Sequence, residues 1–254
     1  MNARKYRGRL AAAAVFLVIG LAMAWGAPPQ GTAADQKVKQ DIEKRLQKHG
    51  IPTGVDVQIA VEGRTITLTG TVANLAIRNQ AGRDAAAAGK KYKIVNNLAV
   101  PKSDFTPQQI GLAIAASLWK SESYGIFDWV GLTVSPEGVV TLKGWVYLTF
   151  HADEFIKIAE SQPGVTKVVN ELQPVMRLEP DNTIRLQAAV LIYRSPRQAT
   201  FSRMTGPVHI LVENAVVTLV GSVENEGDVR GYESLIRSNT GAVNVINELR
   251  VKSR

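Results

Sequence analysis

The chain has 254 residues, with 30 Lys and Arg against 22 Asp and Glu, three His and no Cys. Lacking cysteine, it can form no disulfide, thiolate nucleophile, thiolate-bound zinc or iron–sulfur cluster, and no lipid-modified N-terminal cysteine. The formal charge of +8 points to nucleic acid or an acidic membrane surface, depending on where the positive charges sit.

The first predicted element is a leader. Arg4, Lys5, Arg7 and Arg9 precede an uncharged apolar run from Leu10 to Ala24, which ends in the small-x-small triplet Ala22-Met23-Ala24. This pattern predicts an export signal over residues 1–24. The 15 apolar residues fall short of the roughly 20 that span a bilayer, so no transmembrane span is expected after cleavage. The mature chain then carries 26 basic and 22 acidic side chains, half the opening excess. Export and the modest remaining charge argue against nucleic acid as a partner.

The mature chain repeats itself. Thr67-Leu68-Thr69-Gly70-Thr71-Val72, Thr141-Leu142-Lys143-Gly144-Trp145-Val146 and Thr218-Leu219-Val220-Gly221-Ser222-Val223 share the pattern T-L-x-G-x-V. Val95-Asn96-Asn97-Leu98, Val169-Asn170-Glu171-Leu172 and Ile246-Asn247-Glu248-Leu249 form a second shared motif. Gly70, Gly144 and Gly221 each precede the first asparagine of that motif by 26 residues. Two motifs held at one spacing three times define a repeated unit.

In chain order, each unit opens with a helical stripe: Val38/Ile42/Leu46, Ile110/Ile114/Leu118 and Ile184/Ala188/Ile192. Thr106-Pro107 predicts an N-cap followed by proline, and Asp181 is expected to cap the third copy. Two short strands follow, with period-2 burial of Val57, Ile59 and Val61, then Ile66, Leu68 and Val72 in the first copy. A second helix is expected to turn Ala81/Phe155/Tyr232 and Ala85/Ala159/Ile236 inward. A last strand closes each unit. The predicted fold class is α+β: three tandem αββαβ units, each a three-stranded mixed sheet with two helices on one face. The expected boundaries are 35–100, 106–175 and 180–251. The mid-strand glycines Gly70, Gly144 and Gly221 read as structural hinges, not binding glycines.

These features resemble the BON domain family, in the glycine of V-x-L-x-G-x-V and the V-x-N-x-L ending. The resemblance is to the osmotically inducible periplasmic type. It implies a periplasmic, non-enzymatic protein without cofactors, concerned with envelope integrity and attachment to phospholipid membranes. The usual Gly-Val before the last strand stands as Gly164-Val165 in the second copy. It becomes Gly241-Ala242 in the third and Lys90-Lys91 in the first, and the third copy carries an insertion, Arg194 to Gly206.

The copies differ in charge and aromatics. Residues 35–100 carry a net +5, 101–178 a net −2 and 179–254 a net +1. Lys37, Lys44 and Lys48 share one helix flank, and Lys90, Lys91 and Lys93 form a second basic group. Both suit an anionic phospholipid surface. Nine of the 16 aromatic residues fall between 101 and 178. Strand alternation puts Trp145 and Tyr147 on the sheet face away from the helices. The insertion Ser121–Trp129 adds Tyr124, Phe127 and Trp129 beside Trp119. This aromatic set suits a lipid or envelope-protein surface, a chaperone-like adaptor face, or packing between units. His49, His151 and His209 occupy unrelated positions and predict no metal or catalytic cluster. Glu224, Glu226 and Asp228 read as acids at a helix start.

Overall fold

A computed structural model describes residues 32–54, 56–194 and 206–252. The leader and most of the Arg194–Gly206 insertion lie outside the described residues.

The first unit comprises α1 (Ala33–Lys48), β1 (Val57–Glu62), β2 (Thr65–Thr71), α2 (Leu75–Ala88) and β3 (Lys93–Ala99). The second comprises α3 (Pro107–Lys120), β4 (Trp129–Val134), β5 (Val139–Val146), α4 (Thr149–Glu160) and β6 (Lys167–Pro174). The third comprises α5 (Asp181–Tyr193), β7 (Val208–Glu213), β8 (Val216–Val223), α6 (Glu226–Asn239) and β9 (Asn244–Val251). Each unit has its own sheet, with the middle strand antiparallel to the first and parallel to the last.

Local chemistry starts the helices. The Thr32 hydroxyl accepts from the Asp35 amide and Asp35 returns the bond, closing a capping box at α1. Thr106 and Gln109 do the same at α3, with Pro107 at its first position. The expected Asp181 cap is not formed. Asp181 is the first residue of α5, and its carboxylate accepts instead from the Asn214 and Ala215 amides at 2.8 and 2.7 Å. Both turn residues have positive φ, 51° and 59°, so a buried carboxylate holds a turn that no glycine supplies.

The repeated motifs have a common mechanical basis. Gly70, Gly144 and Gly221 have φ of 121°, 130° and 134°. A Cβ there would lie 2.0–2.2 Å from the carbonyl oxygen of Asp56, Trp129 or Pro207 on the facing strand. Glycine alone accepts both the backbone angle and that approach. Each glycine also pairs across the parallel ladder with a motif leucine: Leu98, Leu172 and Leu249. The motif asparagine two residues earlier accepts from that leucine's amide through its side-chain oxygen. In the first and third units its Nδ2 donates to a carbonyl of the second helix, Arg78 or Val229, at 2.7 and 2.8 Å. The constant 26-residue interval therefore accompanies one register of the last strand in all three units, and in the first and third the asparagine also ties that strand to the helix above.

The predicted stripes are inward. Ile42, Leu46, Ile110, Ile114, Leu118, Ile184, Ala188 and Ile192 are buried, as are Ala81, Phe155, Ala85, Ala159 and Ile236. Val38 and Tyr232 are the exceptions, half-buried at the edges of the first and third cores. Each unit has a hydrophobic core, but two cores cross unit boundaries. Leu75 of the first unit joins the second core, and Ile126 and Phe127 of the second join the third.

Candidate functional site

In the first unit, Lys37, Lys44, Lys48, Lys90, Lys91 and Lys93 are all exposed. Lys44 and Lys48 line an open groove between the two helices with Asp41, Arg45, Ala87 and Ala88. The alanines of α2 leave its floor shallow. The Tyr92 hydroxyl donates to Asp35 at 2.8 Å, bringing the Lys90–Lys93 turn to the start of α1, where Lys37 lies. That bond and the two from Thr32 hold the Asp35 carboxyl below its ordinary range, Thr32 contributing most. The Lys90–Lys93 turn and Lys37 thus lie at the same end of one unit.

The aromatic set divides. Tyr124 and Phe127 are 5% and 1% exposed and belong to the interior, not to an accessible surface. Tyr124 packs in the second unit's own core against Phe155, whereas Phe127 is buried by the third unit. The Ile210 amide, on the outer edge of β7, donates to the Ile126 carbonyl at 2.8 Å, so the Ile126–Phe127 segment seals that edge. Burial pushes the Tyr124 hydroxyl up to about 12. Tyr147 is half-buried on the third core, its ring 5.1 Å from Phe127 and between the guanidinium groups of Arg177 and Arg185 at 5.4 and 5.6 Å. The open face expected for Tyr147 is therefore a joint between units.

Trp119, Trp129 and Trp145 keep some solvent contact. Trp119 is 47% exposed, with one edge against Tyr124 and His209. Trp129 and Trp145 face each other across β4 and β5 with ring centroids 5.4 Å apart. Trp129 also lines an open cleft of about 650 Å³ with Val220, Gly221, Glu248, Leu249 and Arg250 of the third unit.

A family model described as BON domain matches residues 34–102, 124–175 and 202–253, more than half of the chain. The chain belongs to the BON domain family. The second and third matches begin after α3 and α5, although the structure places those helices as it places α1. A relative from Anaplasma centrale, an uncharacterised protein of the gshII 5' region, is 31% identical over 147 residues, covering 54% of this chain and 91% of the relative. Among solved structures, the chain is similar to the C-terminal domain of CdsD, a structural protein of the type III secretion system of Chlamydia trachomatis. That match has 14% identity, coverage of 85% and 96%, and a TM-score of 0.24. It is also similar to the periplasmic domain of PrgH, with 13% identity, coverage of 78% and 95%, and a TM-score of 0.21.

Within this BON array, sequence reasoning missed one cluster. Asp128, fully buried, accepts from the Tyr147 amide at 2.7 Å, the Gly125 amide at 3.1 Å and His151 Nδ1 at 2.9 Å. His209 reaches the same joint from β7, 3% exposed, its ring 5.2 Å from Tyr124. Two histidines that read as unrelated in sequence therefore meet one buried aspartate region. No local signal marks this, because Asp128 and His209 are brought together only by docking. His49 pairs separately with Asp84 at 2.8 Å in the first unit. Among the described residues, no group of three or more His, Cys, Asp or Glu is placed to hold a metal ion. Glu226 and Asp228 occupy the first turn of α6, whose Asn225 cap accepts from the Asp228 amide at 3.0 Å. No helix among the described residues is long and apolar enough to cross a membrane.

Proposed function

We propose that this is an exported, periplasmic, non-enzymatic BON protein that attaches to anionic phospholipid and serves envelope integrity under osmotic stress. The observation that supports the reading is the Tyr92–Asp35 bond, which brings the Lys90–Lys93 turn to the Lys37 end of the helix that also carries exposed Lys44 and Lys48. A flat, alanine-floored basic groove suits phosphate headgroups, which need charge and access more than shape. Each lysine near such a surface contributes about 1 kcal/mol, so a cluster is needed and salt weakens it.

Flotation with liposomes tests this. The mature chain is expected to float with vesicles of phosphatidylcholine and phosphatidylglycerol at low salt, and not with phosphatidylcholine alone. Reversing Lys44→Glu and Lys48→Glu together lowers the bound fraction at unchanged thermal stability. Equal failure of wild type on both vesicles at low salt sinks the lipid reading.

A second reading, a protein-binding or chaperone-like adaptor, has its own observation. Trp129, its ring beside that of Trp145, lines a cleft with Val220, Leu249 and Arg250, a surface that combines apolar breadth with a cation. Replacing Trp145→Ser discriminates: loss of an envelope-protein partner with lipid flotation intact favours this reading.

A further inference from the structure

His209 stands in an unusual place for a titratable group. It lies on the sheet face of the third unit away from its helices, a face that the second unit covers here. Trp119 from α3 stands 6.1 Å from its ring and Tyr124, from the segment after α3, stands 5.2 Å away. Val220, the register partner of His209 on β8, is also only 8% exposed. The His209 Nδ1 atom is buried with no hydrogen-bond partner among the described residues. The backbone of Gly125 and Asp128 lies on the other side of the ring and favours a proton there. A proton on both nitrogens would leave a buried Nδ1 N–H for which the described residues offer no acceptor.

We propose that protonation of His209 in mild acid undocks the third BON unit from the second and exposes the aromatic surface between them. Among the described residues, the charged groups facing His209 are few. Asp128 is the nearest anion, but its carboxylate is already engaged by two amides and His151. Tyr124 contributes a neutral ring. Trp119 contributes no charge, Val220, the register partner on β8, is apolar, and Thr218 and Ser222 on the same face of β8 are uncharged. Burial is the largest influence and lowers the affinity of His209 for a proton below its ordinary value near 6.5, against the opposing pull of the Gly125 and Asp128 backbone and the Asp128 charge. A histidine held neutral by docking supports the docked state above pH 6.5 and loses that support as pH falls toward its lowered value. Opening would break the Ile210–Ile126 backbone bond and uncover Phe127, Val220 and the side of Tyr124 that faces His209.

The test is amide hydrogen exchange on the whole mature chain at pH 7.5 and 5.5, expressed as protection factors so that the pH dependence of intrinsic exchange cancels. The Ile210 amide is expected to lose protection by up to about tenfold per pH unit below 6.5, the limit for one proton. The Leu68 amide in the first unit stays unchanged. In His209→Leu, the Ile210 protection is the same at both pH values. Equal protection in wild type at both pH values overturns the proposal. So does a fall that persists in His209→Leu, which would assign the response to His151 and Asp128. If that variant fails to fold, imidazole NMR of the wild type decides. His209 is expected to titrate below 6.5, and titration at or above 6.5 overturns the proposal.

Discussion

The two joints of this array are built from the same kind of unit and are nothing alike. Between the first and second units, Leu75 enters the second core and Asn79 Nδ2 donates to Glu160 at 2.7 Å. Beside them lies a cleft of about 540 Å³, lined by Arg78, Lys102, Phe105 and Ile110 among others. Between the second and third units there is a shared core, a strand-edge hydrogen bond, a buried aspartate and the ring of His209 against those of Trp119 and Tyr124. The lesson is that an internal repeat conserves what folds the unit and leaves the joint free to diverge. The second and third units should act as one cooperative block, with the first as a more independent, basic module hinged to it.

The largest expected effect comes from removing the side chain that makes the block. Phe127→Ala should cost about 3–5 kcal/mol, the usual range for emptying a fully buried aromatic site. Denaturant unfolding with segment-resolved hydrogen exchange should show the second and third units loosening together while β1–β3 keep their protection. If the first unit loses stability equally, the comparison between joints fails.

A matched pair sharpens the point. Gly70→Ala and Gly144→Ala impose the same fault, a side chain at φ of 121° or 130° pressed on a facing carbonyl oxygen. Backbone strain of this kind costs about 1–3 kcal/mol before the clash is counted. The first substitution should melt only the first unit, and the second should weaken both of its successors. Thermal melts followed by limited proteolysis separate these outcomes.

The smallest effect belongs to the looser joint. Asn79→Ala removes one part-buried hydrogen bond and should cost about 1 kcal/mol. Its signature is a wider range of distances between spin labels on the first and second units, with each unit's own melting temperature unmoved. A loss of several kcal/mol instead would mean that the first joint is as tight as the second.

Much of the fold was legible because its determinants are local. Period-2 strands, 3.6-period stripes, Thr106-Pro107 and the mid-strand glycines each report on a few neighbouring residues. Asp181 was misassigned because capping is local and its true partners, the Asn214 and Ala215 amides, lie more than 30 residues away. The lysines were legible as a surface, since charge at helix flanks stays in water. The aromatics were not: alternation could place Tyr147 on the face away from its own helices, yet it could not show that Arg177, Arg185 and the third core meet that face. Tyr124 and Phe127, in an insertion without periodicity, carried no sign of their burial.

Sequence alone determined the unit, its threefold recurrence and the identity of its register-setting residues, because hydrophobic period and glycine conformation act within a single strand or helix. Tertiary structure alone decided which aromatic side chains remain at the surface and that Asp128, His151 and His209 share one joint. Those outcomes depend on how one folded unit covers the sheet edge and open face of the next, and no local pattern encodes an approach between surfaces 80 residues apart in the chain.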